Sequence, residues 1–331
     1  MKYDGRVPFL LTKISGSAAP QGISFRIGEH IMRIVVFGQQ AFGKDVFDSL
    51  VAAGEEVVGI STPKPREGRT DPLAEAAREK NIPNVFTRQL RKDEGFAEYL
   101  SWKPDLLVFA FVTDIVRQNV LDAATHGAIQ YHPSLLPLHR GRAAMNWAIL
   151  AGRQETGLTI FWVDEGIDTG PIILQKKANI GENDTVGSIY FNELYPMGVE
   201  ALTEAVGLVR NGKAERIEQD ESLATYEGPC EESHGVLNFS AHGQIIHDTI
   251  RGCDPQPGAS AQLNGSNLKL FGSSYNPGGG VNDEPGKIVD VIEGAAVVST
   301  IGGTVKISRV QQLGEKKVEA GDVLKIGDML S

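Results

Sequence analysis

From residue 32 onwards, short continuous apolar runs alternate with amphipathic stretches of helical period. Such apolar runs are typical of strands buried on both faces, and regular strand–helix alternation is typical of parallel sheets. The predicted strands are residues 34–37, 56–60, 106–109, 127–131, 158–163 and 171–178, and the predicted helices are residues 41–53, 71–80 and 185–210. The pattern therefore predicts an α/β fold with a doubly wound, mostly parallel sheet, whose ligands bind at the carboxyl ends of the strands.

The pattern changes after residue 212. The next stretch is polar and contains Gly228-Pro229, and a short helix is predicted at 241–251. Short β-like runs separated by Gly, Pro and Asn then follow at 289–292, 296–300 and 305–310. This spacing predicts a small carboxyl-terminal β-barrel of the OB type.

The predicted organisation has four parts. Residues 32–212 form an α/β domain, residues 213–234 a linker, and residues 235–331 the small barrel. The apolar run near the amino terminus, at 7–11, is too short for the core of a signal peptide. We therefore expect residues 1–31 to be a disordered extension or the product of a start codon assigned too early.

The composition of the chain limits which binding partners and which cellular compartment are expected for it. The chain of 331 residues has a formal net charge of −10, which disfavours non-specific binding to phosphate backbones. Its two cysteines, Cys230 and Cys253, are too few for a disulfide framework or a cysteine-rich zinc site. No apolar run reaches the roughly 18 residues of a membrane span. We therefore expect a cytoplasmic protein with no membrane partner and no bound metal.

One segment comes close to a phosphate-binding loop. Residues 38–45 read GQQAFGKD and differ by one letter from the pattern G-x-x-x-x-G-K-[ST], between a predicted strand and a predicted helix. Asp45 stands where a hydroxyl would bind Mg²⁺, and its charge would oppose the phosphates. The dinucleotide pattern G-x-G-x-x-G is absent as well. The segment therefore favours a tight strand-to-helix turn over nucleotide hydrolysis.

Two residues carry the clearest candidate chemistry. His132 follows the predicted strand 127–131 directly, and Pro133 stiffens the chain after it. Asp168 lies in a short loop, Ile-Asp-Thr-Gly, at 167–170. A histidine beside a carboxylate can move protons near neutral pH. Each residue alone is more often a core histidine or a turn aspartate, so a shared function requires a fold that brings the two loops together.

Together these segments resemble the 10-formyltetrahydrofolate-dependent formyltransferase family. The family's central motif is a histidine followed closely by Ser-Leu-Leu-Pro, with a Leu/Ile-Asp-Thr-Gly loop downstream, and the chain has both at 132–137 and 167–170. The resemblance extends from residue 32 to about residue 328. The runs YHPS at 131–134, TIFW at 159–162 and ATYEG at 224–228 look most like the folate-hydrolase domain that opens 10-formyltetrahydrofolate dehydrogenase. Methionyl-tRNA formyltransferases are related, but carry a longer basic insertion where this chain has only the loop 62–70.

The resemblance implies a substrate and a set of site residues. The formyl donor is 10-formyltetrahydrofolate, and no metal is required. His132 stabilises the oxyanion and protonates the leaving nitrogen, Asp168 orients the imidazole, and the amide of Gln130 polarises the formyl oxygen. Gln130 stands where the transferases have asparagine and the hydrolase domain has an aliphatic residue. The residues expected to hold the folate are Phe111, Val112, Asp114, Ile115, Val116, Ser134, Leu135, Leu136 and Pro137, with Asp168.

The formyl acceptor stays open between water, which gives free formate, and an amine. Methionyl-tRNA formylation is the second candidate, and formylation of a small amine such as an amino sugar is the third. Residues 235–331 contain 8 Lys and Arg against 10 Asp and Glu, which disfavours a tRNA-binding face. The same balance disfavours a non-catalytic nucleic-acid-binding module, a candidate from a different functional class.

Overall fold

The computed structural model of the protein describes residues 31–279 and 283–331. The extension predicted at 1–31 therefore lies, apart from Ile31, outside the described residues. Met32–Ser331 belong to one structural unit.

A seven-stranded sheet forms the centre of the first part of the chain, with strand order β3-β2-β1-β4-β5-β7-β8. The strands are β1 (Arg33–Gly38), β2 (Glu56–Thr62), β3 (Asn84–Phe86), β4 (Leu106–Ala110), β5 (Ala128–His132), β6 (Arg140–Gly141, outside this sheet), β7 (Glu155–Trp162) and β8 (Ile172–Asn179). The first five strands of that order pair in parallel, whereas β7 is antiparallel to β5 and β8 is antiparallel to β7. The end of β5 therefore lies where the parallel part of the sheet meets the antiparallel part.

Helices cover both faces of this sheet. They are α1 (Gln40–Ala52), α2 (Pro72–Glu79), α3 (Asp93–Ser101), α4 (Gln118–Leu121), α5 (Ala144–Leu150), α6 (Val186–Ile189) and α7 (Tyr195–Arg210). The alternation of side chains along β1 divides the core into two layers. Ile34 and Val36 belong to the layer with α1, α2 and α7, while Val35 and Phe37 belong to the layer with α3 and α4. The sheet is therefore doubly wound.

A second, antiparallel sheet follows near the carboxyl terminus, with strand order β10-β11-β14-β13-β12 and β15 paired to β14. The remaining elements are β9 (Tyr226–Glu227), α8 (Gly243–Gly252), β10 (Ala259–Leu263), β11 (Ser266–Pro277), β12 (Ile288–Ile292), β13 (Ala295–Thr300), β14 (Gly303–Gln312), β15 (Val318–Glu319) and α9 (Ala320–Val323). Leu330 bridges to Leu263 in one edge strand, and Met329 bridges to Lys287 beside the other. These bridges close the sheet into a small barrel.

The predicted fold class is confirmed, and several elements differ from prediction. The three-residue strand Asn84–Phe86 was not predicted, so residues 106–110 form the fourth strand of the chain rather than the third. Helix α3, helix α5 and the 12-residue strand β11 were also missed. The helix predicted at 185–210 is divided by a π-helical turn at Tyr190–Leu194.

Candidate active site

His132 is the last residue of β5 and is almost fully buried. Its antiparallel partner in β7 is Thr159. The Thr159 hydroxyl donates to the carbonyl of Ser134 at 2.7 Å and accepts from the Leu136 N–H at 3.0 Å. Gln175 in β8 donates to the Leu136 carbonyl at 2.8 Å. The segment that follows His132 is therefore fixed to the two antiparallel strands through its main chain.

Asp168 faces His132 from the loop between β7 and β8. Its Oδ2 lies 3.5 Å from Nδ1 of His132, and both side chains are 6% exposed. The same oxygen accepts the Gly141 N–H at 2.8 Å. Asp168 has a φ of 56°, a conformation that aspartate tolerates better than most residues. The two loops that carry the sequence motifs therefore meet at one buried point.

The other ring nitrogen of His132 has a partner too. Nε2 lies 2.8 Å from the main-chain carbonyl of His139. A carbonyl only accepts hydrogen bonds, so Nε2 carries the hydrogen. In the neutral ring, Nδ1 then holds the free electron pair, and it is the nitrogen on the side of Asp168. Nδ1 is therefore the atom that can take up and release a proton beside a carboxylate.

Gln130 lies next to this pair. Its Nε2 donates to Oδ1 of Asp168 at 3.2 Å. The amide predicted to act on the substrate thus also holds the carboxylate that faces His132. Because an amide nitrogen carries two hydrogens, one remains for a second acceptor.

The loop expected to receive the pterin follows β4, whose Phe109 pairs with Gln130 in β5. Phe111 and Ile115 are exposed, while Val112 and Val116 pack against the core layer of α3 and α4. Gln39 donates to the Phe111 carbonyl at 3.4 Å. The loop therefore lies at the same sheet edge as His132 and presents apolar side chains to its surroundings.

Asp114, in this loop, is bound by a residue from another segment of the chain. It accepts from Nε of Arg88 at 3.3 Å, and its side chain is 17% exposed. Arg91 donates to the Ile115 carbonyl at 3.4 Å. These contacts anchor the loop to the 3₁₀ turn at Thr87–Arg91.

The sequence motifs did not reveal the residues between α7 and α8 that hold the site together. Gln219 is buried and donates to the carbonyls of Asp168 at 2.9 Å and Gly170 at 2.7 Å. Its Oε1 accepts from the buried guanidinium of Arg140. Glu221 accepts from the same guanidinium, and this bond raises the pKa of Arg140. Arg140 is therefore part of the framework that holds the loops of the site.

A second pair on this side consists of His139 and Glu227. Nδ1 of His139 lies 3.1 Å from Oε1 of Glu227, and the His139 N–H donates to the Thr225 hydroxyl at 2.8 Å. Burial is the main cause that lowers the pKa of His139, and Glu227 opposes it. Strand β9 pairs in parallel with β6 and brings Glu227 beside Gly141. A segment that reads as a polar linker thus packs against the candidate site.

The segment similar to a phosphate-binding loop is a strand-to-helix turn. A Cβ on Gly38 would lie 2.5 Å from the Ala110 carbonyl oxygen, so close backbone packing requires glycine there. Asp45 accepts from the Tyr195 hydroxyl at 2.7 Å, and Lys44 pairs with Asp48 at 2.7 Å. Lys44 and Asp45 are therefore bonded to other side chains of the protein.

Over residues 31–279 and 283–331, no cluster of three or more His, Cys, Asp or Glu side chains could hold a metal ion. No helix in this part of the chain is both long and apolar enough to cross a membrane. Cys230 and Cys253 are free thiols.

Comparison with known proteins identifies the family. Residues 32–206 match the formyl transferase family model, and residues 230–326 match the model of the formyl transferase carboxyl-terminal domain. The chain belongs to the formyl transferase family. Both motif segments, with His132 and Asp168, lie within the first match.

The curated relatives of this formyl transferase include two kinds of protein. The mitochondrial 10-formyltetrahydrofolate dehydrogenase of Mus musculus is 40% identical over 248 residues, which cover 73% of this chain and 27% of the relative. The cytosolic enzyme of Xenopus tropicalis is 35% identical, over 90% of this chain and 34% of the relative. The chain thus spans about a third of these dehydrogenases. The methionyl-tRNA formyltransferase of Desulforamulus reducens is 31% identical, over 89% of this chain and 94% of the relative.

Solved structures share the fold. HypX from Aquifex aeolicus, in complex with tetrahydrofolic acid, has a TM-score of 0.65 at 21% identity and covers 89% of this chain and 47% of HypX. WlaRD, a sugar 3N-formyl transferase solved with dTDP and 5-N-formyl-THF, also has a TM-score of 0.65 at 21% identity, over 87% of this chain and 100% of WlaRD.

Proposed function

We propose that this formyl transferase cleaves the formyl group from 10-formyltetrahydrofolate and passes it to water, releasing formate, or to an amine. The observation that carries the proposal is the buried approach of His132 Nδ1 to Asp168 Oδ2, at 3.5 Å. The relatives named 10-formyltetrahydrofolate dehydrogenase, at 35–40% identity, and the folate complex of HypX support the choice of formyl donor.

The reaction can be written with the residues of the site. The oxygen of water attacks the formyl carbon, a bond forms between them, and Nδ1 of His132 accepts a proton from the water. The carbon–N10 bond then breaks, and the proton passes from His132 to N10. The products are tetrahydrofolate and formate, with one proton released. Acid–base help of this kind is worth about 10²–10⁴ in rate.

Asp168 and Gln130 have separate parts in this scheme. The carboxylate of Asp168 stabilises the imidazolium that forms when Nδ1 accepts the proton. Gln130 keeps that carboxylate in place with one hydrogen and presents its other hydrogen to the formyl oxygen. A preorganised donor at a developing oxyanion contributes about 2.7–4 kcal/mol.

The folate is placed along the sheet edge beside His132. The pterin lies against the loop of Phe111, Val112, Asp114, Ile115 and Val116, where main-chain groups pair with the flat ring and apolar side chains cover its faces. The wall opposite is the segment of Ser134, Leu135, Leu136 and Pro137, in which Leu135 and Pro137 are partly exposed and the other two are buried. Thr159 and Gln175 fix the main chain of Ser134 and Leu136. We propose a cytoplasmic location, because a chain with two cysteines has no disulfide framework of the kind found in secreted proteins.

Hydrolysis is preferred over tRNA formylation because of the charges in the carboxyl-terminal barrel. Four of the eight barrel cations pair with carboxylates: Lys269 with Glu232 at 3.0 Å, Lys287 with Asp283 at 3.2 Å, Arg251 with Asp248 at 2.7 Å and Lys306 with Glu293 at 3.9 Å. Lys317 lies over the ring of Phe271. Paired cations offer little to a phosphate backbone. The observation that keeps tRNA formylation as the second candidate is the match to nearly the full length of the D. reducens enzyme.

The test follows tetrahydrofolate release by the purified protein. The donor is supplied alone, then with methionyl initiator tRNA, and then with an amino sugar nucleotide. Release without an acceptor supports hydrolysis, and release only with one acceptor assigns transfer to that acceptor. His132→Ala should abolish release, whereas His126→Ala, at an exposed histidine before β5, should not. Absence of release in all three mixtures contradicts the proposal.

A further inference from the structure

The segment 219–227, here named the strap, lies between the two family matches at 32–206 and 230–326. Its side chains nevertheless bond to the loops around His132 and Asp168, and Glu221 among them bonds to Arg140. Gln219 bonds to the main chain at Asp168, Thr225 to the main chain of His139, and Glu227 to the ring of His139. The strap therefore reaches both partners of the candidate catalytic pair, although it lies outside the His132 and Asp168 motifs.

His139 needs this support because its conformation is unfavourable. Its φ is 58°, a region that costs a residue with a Cβ roughly 1–2 kcal/mol. The residue is 5% exposed, and its ring Nε2 is buried without a hydrogen-bond partner among the described residues. The bonds to Thr225 at 2.8 Å and Glu227 at 3.1 Å offset these costs. Main-chain bonds on both sides of His139 add to them, from the Thr225 N–H to the Pro137 carbonyl and from the Arg140 N–H to the Thr225 carbonyl, each at 3.1 Å.

The carbonyl of His139 in turn determines the proton position on His132. It accepts from Nε2 at 2.8 Å, and this bond leaves Nδ1 as the nitrogen that exchanges a proton beside Asp168. If the His139 carbonyl moved, the hydrogen of neutral His132 could shift to Nδ1. That tautomer would place an N–H where the mechanism needs a base.

We infer that Glu227 is a positioning residue, which, through the ring and carbonyl of His139, keeps the hydrogen of neutral His132 on Nε2. The inference rests on the proposed function for its kinetic consequence and on the hydrogen bonds alone for its structural consequence. The ionisable groups around the His139 ring are Glu227, Arg153 and His132. With the His139 ring neutral, Nδ1 donates to Oε1 of Glu227, a bond that the amide oxygen of glutamine can also accept.

The first measurement reads the tautomer without any substrate. Protein labelled with ¹⁵N-histidine is compared by long-range proton–nitrogen NMR, and the His132 signals are assigned with His132→Gln. The wild type and Glu227→Gln should show the hydrogen of neutral His132 on Nε2. Glu227→Ala and Glu227→Asp, whose shorter carboxylate does not reach His139, should show a mixture of both tautomers.

The second measurement follows tetrahydrofolate release across pH. Glu227→Ala should lower kcat about 10- to 100-fold with KM within a few-fold of the wild type, because the folate contacts are untouched. Glu227→Gln should restore most of the loss. Glu218→Ala, at an exposed glutamate beside the strap, should match the wild type.

The outcomes separate this inference from the proposed function. An unchanged His132 tautomer in folded Glu227→Ala or Glu227→Asp overturns the inference, whatever the substrate. Equal loss in Glu227→Gln and Glu227→Ala also overturns it, because the bond to the acceptor oxygen would then be irrelevant. A changed tautomer in a protein that releases no tetrahydrofolate supports the inference and contradicts the proposed function instead.

Discussion

Gln219 holds Asp168 by its main chain: the amide nitrogen of Gln219 donates to the Asp168 carbonyl at 2.9 Å. It also donates to the Gly170 carbonyl at 2.7 Å. Asp168, whose backbone is left-handed, is therefore fixed to the strap through its main chain. Because Gln219 fixes the main chain of Asp168, the Asp168 carboxylate stays directed toward His132.

Gln219→Ala is expected to destabilise the protein and to lower turnover. The substitution leaves two carbonyls and part of the Arg140 guanidinium without their buried partner, and each unsatisfied buried group costs about 1–3 kcal/mol. Urea unfolding and tetrahydrofolate release measure the two effects. Gln312→Ala, at an exposed glutamine of β14, should change neither. Wild-type stability in Gln219→Ala would show that the Asp168 loop does not depend on this residue.

Asp168→Asn is expected to lower kcat about 10²–10⁴-fold while the protein keeps its fold. Asparagine tolerates the left-handed backbone that Asp168 adopts and still offers an oxygen to the Gly141 N–H. Its amide nitrogen then faces Nε2 of Gln130, so the substitution removes the charge together with the bond from Gln130.

Asp164→Asn is the matched control, because Asp164 lies in the same loop and accepts from Gly166 and Thr169 at the surface. Its kcat should equal that of the wild type. Comparable losses in both variants would indicate damage to the loop rather than loss of the charge that faces His132.

Gly141→Ala is expected to remove most of the turnover. Gly141 has a φ of 97°, and a Cβ there would lie 2.5 Å from the Glu227 carbonyl oxygen, so β6 and β9 must separate. That movement withdraws the Gly141 N–H from Asp168. Gly212→Ala shares the positive φ but has open space around the added Cβ. It should cost about 1–2 kcal/mol of stability and leave kcat unchanged, a contrast that steady-state kinetics and thermal unfolding resolve.

Stability should fall as pH drops below about 6.5, because burial is the main cause that lowers the pKa of both His139 and His247 from the ordinary value of 6.5. Below that value the unfolded chain binds protons that the folded protein does not, so the free energy of unfolding rises with pH through this window.

Urea unfolding at about pH 5.5 and 7.5 checks this dependence. His247 contacts Ser273 and the Glu182 carbonyl, remote in sequence from the candidate site, and His247→Gln should reduce the difference between the two pH values. His126→Gln should leave it as in the wild type. A difference unaffected by His247→Gln would assign the acid sensitivity to other groups.

The parallel centre of the fold was predictable because strands buried on both faces leave continuous apolar runs. Strand β4, residues Leu106–Ala110, is buried at every position. Strand β11, by contrast, is twelve residues long with many partly exposed positions, so its pattern lacks both a continuous apolar run and a clean alternation. Strand β3 has three residues and owes its form to pairing with β2.

The residues of the candidate site also fall into two groups, those that the sequence predicts and those that it does not. His132 and Asp168 belong to local motifs with a fixed order, so their meeting could be predicted. Gln219 and Thr225 bond to main-chain atoms, and Glu227 bonds to the ring of His139, at residues 49 to 88 positions away, so no local pattern shows which atoms they contact. Residues 213–234 were predicted to be a linker because they are polar. For Gln219, Thr225 and Glu227, the same polar groups form the hydrogen bonds to the site.

The position of the strap also limits how parts of this family can be recombined. A chimera that joins this α/β sheet to a relative's barrel at residue 206, where the first family match ends, would exchange Gln219 and Glu227 together with the barrel. A junction after residue 229 would keep both. The two grafts differ by little more than twenty residues, yet only the second carries the native support of its histidine and aspartate.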